Sequence, residues 1–128
     1  MTRTESNVWQ AVHYERPFTQ NSLYGKGNHY TRAKQVKAWR ESFAWLALKA
    51  RMPHMERCSV AVIPHLRDNR AQDTGACFPA VKAAIDGLVD AGVLDDDGPD
   101  HVTELRFFRP VLSSDLGDAL MVEVTRLA

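Results

Sequence analysis

Residues 79–92 constrain the fold more than any other stretch of this chain. Pro79 stands where a helix best tolerates proline, in its first turn. Gly92 stands where helices most often end, at the left-handed position past the last turn. Between them Val81, Ile85, Leu88 and Val89 recur at helical spacing and make a stripe for burial. Lys82, Asp86 and Asp90 recur at i, i+4 and line one exposed face. The helix then runs into three consecutive carboxylates, Asp95, Asp96 and Asp97, with Asp100 beyond them and Asp73 upstream. A lysine near clustered aspartates is what phosphodiester chemistry needs. Carboxylates hold hard divalent cations, and a cation or an ammonium offsets charge on the reacting phosphate. The same residues also describe a capped helix followed by a solvated acidic turn, with Asp73 closing a turn with Thr74 and Gly75 and Lys82 simply paired with Asp86. Asp100 reads only as a turn residue.

The other elements follow from periodicity. Residues 8–14, aromatic and β-branched, read as a strand, and 17–30, dense in Gly, Asn and Pro, as a loop. Thr31 is placed to cap a long helix over 32–51, with Ala33, Val36, Trp39, Phe43 (or Ala44) and Leu46–Ala47 on its apolar face, and Pro53 ends it. Residues 58–64 read as a strand closed by proline, followed by a polar connection over 65–75. Residues 101–111 and 119–126 alternate as two final strands. The order β, α, β, α, β, β predicts an α+β fold: a small mixed β-sheet with two main helices packed on one face.

At 128 residues the chain reads as a single domain, 1–128, long enough for a real core. It holds no run of about 18 apolar residues, so no membrane span is expected. The opening residues lack an apolar h-region, so no secretory signal is expected. Cys58 and Cys77 fit buried thiols in a reducing cytosol better than a disulfide framework, and the expected location is cytoplasmic. The formal net charge of zero hides an asymmetry. Residues 1–57 carry ten basic side chains against four acidic, and residues 58–128 carry six against twelve. A basic half and an acidic half suit a polyanion-binding surface beside a metal-binding cluster, or two halves that attract each other within the fold or a dimer. Arg32, Lys34, Lys37 and Arg40, with Arg70, are the candidates for sequence-independent phosphate contacts. They also suit the solvated face of an amphipathic helix. His29, Tyr30 and Trp39 could stack on unpaired bases, although Trp39 sits on the apolar stripe and reads as core. His13, His54, His65 and His101 show no metal-ligand spacing to one another.

Asp73, Pro79, Lys82, Asp86-Gly87-Leu88, Ala91-Gly92-Val93 and Asp96-Asp97 stand in one register. In that register the chain resembles the RusA family of Holliday junction resolvases, and more closely the RusA-like proteins of actinobacteria and their phages. Their motif has the form D-x-D-N-x-x-P-x-x-K-x-x-x-D-G-L-x-x-A-G-V-x-x-D-D. The basic stretch from Asn28 to Arg40 is similar to the family's opening, and residues 1–16 are least covered. The resemblance implies a RusA-like fold and a homodimeric, Mg²⁺-dependent endonuclease (Mn²⁺ being a possible substitute) acting on branched DNA in recombination and repair. It implies Asp73, Asp97 and Lys82 as the catalytic set, with Asp73 and Asp97 holding the metal and Asp96 beside them. Gly75 stands where the family has its second aspartate, and Ala76 where it has asparagine. Asp95 or Asp96 is placed to compensate. An alternative on the same fold is a catalytically impaired DNA-binding protein. A third is a protein-interaction role without nucleic acid, which a salt titration separates from phosphate-driven binding.

Overall fold

The computed structural model describes residues 7–19, 28–70 and 72–128, with only the backbone of 28–30. The elements are β1 (Val8–His13), α1 (Asn28–Lys49), β2 (Cys58–His65), α2 (Phe78–Asp90), β3 (Val102–Phe107) and β4 (Ala119–Arg126). They form a four-stranded mixed sheet in the order β1-β4-β2-β3. β4 runs antiparallel to both β1 and β2, whereas β2 and β3 are parallel neighbours. A parallel pair needs a crossover, and α2 supplies it.

Alternation decides which face is covered. Cys58, Val60 and Val62 of β2 and Leu120, Val122 and Val124 of β4 are buried, and the pairs Val60–Val124 and Val62–Val122 place them side by side. Ala11 lies opposite Val122, and Leu105 and Phe107 lie opposite Val60 and Val62, so the same face continues across the sheet. Both helices close this face. Trp39, Phe43 and Ala47 of α1 and Val81, Ile85 and Leu88 of α2 belong to the same core cluster. Each of the larger ones, such as Phe43, Val81, Ile85 and Leu88, contributes about 1.5–3 kcal/mol by leaving water. Trp39 is fully buried and packs edge-on against His13 and Phe18 at centroid separations of 4.6 and 5.5 Å, so it cannot stack on a base.

The buried side of α2 is broader than the stripe expected of it. Ala80, Ala83, Ala84 and Gly87 are buried along with Val81, Ile85 and Leu88, while Val89 is only half-buried. These small residues let α1 come close. A Cβ built on Gly87 would lie 2.4 Å from the Arg40 carbonyl oxygen and 2.9 Å from the Ala44 nitrogen. The glycine in Asp86-Gly87-Leu88 is therefore where the two helix backbones touch.

The boundaries of α1 and β3 differ from expectation. α1 begins at Asn28, so Thr31 lies inside the helix rather than capping it. The helix therefore begins three positions before the expected cap. The expected loop over 17–30 falls partly on residues 20–27, which lie outside the described residues, as do the side chains of His29 and Tyr30. The strand expected over 101–111 ends at Phe107, ahead of Pro110, which has no N–H to give a ladder.

α1 ends with Arg51 in the left-handed region (φ +57°), while the Met52 N–H bonds back to the Ala47 carbonyl at 3.0 Å. That conformation costs a residue with a Cβ about 1–2 kcal/mol relative to glycine. Arg51→Gly is expected to raise the unfolding free energy by about 1 kcal/mol, read as a higher urea midpoint at unchanged slope.

Candidate active site

α2 presents Lys82 and Asp86 one turn apart, and their i, i+4 spacing is realised as a contact. Lys82 Nζ donates to Asp86 Oδ1 at 2.8 Å. The same ammonium also donates to Asp97 Oδ2, fifteen residues further along the chain. The end of α2 explains this return. Gly92 takes φ +81°, the Val93 N–H bonds to the Leu88 carbonyl at 3.0 Å, and Val93 and Leu94 then dip into the core. The acidic turn is thereby folded back along the helix. Its own backbone is steadied when the Asp97 N–H donates to Asp96 Oδ1 at 2.7 Å, and when the His101 and Val102 N–H groups bond to the Gly98 carbonyl.

The electrostatics follow from that clamp. Burial works to lower the Lys82 pKa. The hydrogen bonds that Lys82 donates to Asp86 and Asp97, with the charges of those carboxylates, outweigh it and leave the ammonium above the usual lysine range. The hydrogen bond from Lys82 holds the Asp97 carboxyl below the usual range, against a smaller opposing effect of burial. The Lys82 side chain is 48% exposed and that of Asp97 30%, so the pair is reachable from solvent.

Asp73 is placed differently. It is exposed in the turn before α2, and its backbone carbonyl, not its carboxylate, closes that turn by accepting from the Ala76 N–H at 2.9 Å. Among the described residues no hydrogen bond or ion pair joins the Asp73 carboxylate to Lys82 or Asp97. Gly75 takes φ +88° in the same turn.

The basic candidates divide. Arg40 forms a two-point pair with Asp90 of α2, with Nη2 donating to Oδ1 at 2.8 Å and Nε to Oδ2. This pairing holds the Asp90 carboxyl low and takes Asp90 out of the free charged row expected on α2. Arg32 and Lys37 are exposed and, with Val36, Arg40 and Asp90, line a groove of about 620 Å³ between the helices. Lys34 is exposed on the same helix. Arg70 is bonded to Asp68, which also faces Arg16 at 3.5 Å.

Sequence reasoning missed two groupings. One is Arg40–Asp90. The other is His54, Glu56 and Asp95, whose donor atoms all lie within 4.8 Å of one another and which is the one such three-donor group among the described residues. Partners 41 and 50 residues apart leave no local signal. Among the described residues no helix is long and apolar enough to cross a membrane. No protein-family model and no curated protein matches the chain.

Proposed function

We propose that this chain is a structure-specific DNA endonuclease resembling the RusA Holliday junction resolvases. The observation that carries this reading is the Lys82 ammonium held between Asp86 and Asp97 on an accessible surface. An ammonium has three N–H donors. Two are engaged by carboxylates, and the third is left for a phosphate oxygen. Because both partners raise its pKa, Lys82 stays charged and acts by stabilising developing negative charge rather than by taking a proton. In the hydrolysis a water oxygen bonds to phosphorus and gives up a proton to solvent, the bond from phosphorus to the leaving oxygen breaks, and that oxygen takes up a proton from solvent.

The donor chemistry fits a hard cation. Asp96 and Asp97 are adjacent carboxylates at the surface, Asp97 Oδ2 accepting from Lys82 and Asp96 Oδ1 from the Asp97 N–H. Mg²⁺, or Mn²⁺ in its place, is commonly held by one or two carboxylates and several waters. Asp97 and Asp96 would hold it, with Asp73 as the further candidate. When bound, such an ion supplies an acidified water and offsets phosphate charge. Arg32, Lys34 and Lys37 would contact the DNA backbone without reading sequence. A homodimer would set two such sites on opposing strands.

The test is a synthetic four-way junction incubated with the protein and Mg²⁺ or Mn²⁺. Paired nicks by wild type and their loss in Asp97→Asn are expected. No cleavage by wild type, or undiminished cleavage by the variant, removes the catalytic claim. Sedimentation should give twice the 14.4 kDa chain mass.

A second reading has its own observation. The position of the family's second aspartate is a glycine in left-handed conformation, and the Asp73 carboxylate is not joined to the Lys82–Asp97 pair. This favours a DNA-binding protein with impaired catalysis. Salt-sensitive junction binding without cleavage at any divalent ion would establish it.

A further inference from the structure

We infer that His54, Glu56 and Asp95 form a binding site for one divalent transition-metal ion of the zinc class, separate from the Lys82–Asp97 pair. The three side chains come from two segments distant in sequence, yet their donor atoms lie within 4.8 Å of one another. His54 Nε2 and Asp95 Oδ1 form a hydrogen bond at 3.1 Å, the contact that a bound ion would replace. Two donors on a tetrahedral zinc ion, each bound at about 2.0–2.1 Å, stand about 3.3 Å apart, so this pair already has nearly the spacing of one tetrahedral edge. A third protein donor and a water complete the usual coordination of an open zinc site.

The donor set decides the metal. An imidazole nitrogen with two carboxylates suits Zn²⁺ and its neighbours, whereas Mg²⁺ prefers oxygen ligands and retains its waters. The Asp96–Asp97 carboxylates, with no imidazole, lie on the other side of that division. Neither half of the site depends on the ion for its position. The Met55 N–H bonds to the Val93 carbonyl at 2.9 Å, which ties the segment carrying His54 and Glu56 to the one that leads into Asp95. His101 Nδ1 donates to the Glu56 carbonyl at 2.8 Å. The ion would cross-link the same two segments through side chains, and Asp95 lies two residues before Asp97 in the acidic turn. An ion here would therefore steady the turn that delivers Asp97 to Lys82.

Both cysteines are buried with their thiols pushed up to about 11, so neither competes for the ion. The probe is Co²⁺, followed by its visible absorption, with displacement by Zn²⁺. Purified wild-type protein at neutral pH is expected to bind one Co²⁺ per chain with the strong visible bands of a four-coordinate site, to lose them on adding one equivalent of Zn²⁺, and to keep them in a large excess of Mg²⁺. His54→Ala should abolish the bands. Asp97→Asn should retain them, which separates this site from the proposed nuclease centre. His54 is exposed, so its replacement leaves the core intact, and an unchanged circular dichroism spectrum verifies that. Absence of saturable binding by wild type, equal binding by His54→Ala, or loss of binding in Asp97→Asn overturns the inference.

Discussion

Gly87→Ala is expected to destabilise this protein by about 3 kcal/mol or more, although alanine is the better helix former by about 1 kcal/mol. The added methyl would sit 2.4 Å from the Arg40 carbonyl oxygen and 2.9 Å from the Ala44 nitrogen. Both are backbone atoms of α1, so no side chain can rotate away to make room. The helices must separate, and separation loosens Phe43, Ala84 and Leu88 at the same contact. It also strains the Arg40–Asp90 pair that spans the two helices. Overpacking alone costs about 1–3 kcal/mol in a core that can adjust, and this contact has less freedom to adjust. Against a typical total of about 5–15 kcal/mol, the loss is a large share. Urea and thermal unfolding measure it directly. A midpoint equal to or above wild type would show that the helices are not pressed together at this residue.

The legibility of the fold in its sequence differs from element to element. β2 and β4 were readable because Cys58, Val60 and Val62, and Leu120, Val122 and Val124, alternate with a period that only a half-buried strand requires. The end of α2 was readable because Gly92 supplies a conformation that few other residues adopt. Alternation says which face of a strand is buried but not which strand lies beside it. The placement of β4 between β1 and β2 was therefore not legible. The start of α1 was missed because Thr31, a residue type that favours the cap position, lies inside the helix. At the candidate site, Lys82–Asp86 is a local helical contact and was readable from spacing alone. Asp97 reaches Lys82 through a turn whose geometry depends on Val93 and Leu94 being drawn into the core, and periodicity does not encode that. The position of Asp73 relative to the pair depends on how the turn at Gly75 sits on α2, which a motif written in one dimension cannot specify.

Lys82→Met is expected to lower junction cleavage by about 100- to 1000-fold while changing stability by about 1 kcal/mol or less. The large effect follows from removing the ammonium that is held against Asp97. The small one follows from exposure: the Lys82 side chain is 48% exposed and its partners are 25–30% exposed, so water and salt screen much of the pairing. The pH dependence has a definite sign. Asp97 is held below the usual carboxylate range, so its share of stability is full above the ordinary value and fades as pH falls through the lowered one. Lys82 is held above the usual lysine range, so its share is full below the ordinary value and fades as pH rises through the raised one. Between those limits the stability difference between wild type and Lys82→Met should be flat. Cleavage should likewise show no inflection from Lys82 near neutrality. Lys82→Arg keeps the charge but exchanges a compact ammonium for a planar fork, so it should recover binding more fully than rate. A Lys82→Met protein that cleaves at the wild-type rate would remove Lys82 from the chemistry and leave its two carboxylate contacts as surface pairing alone.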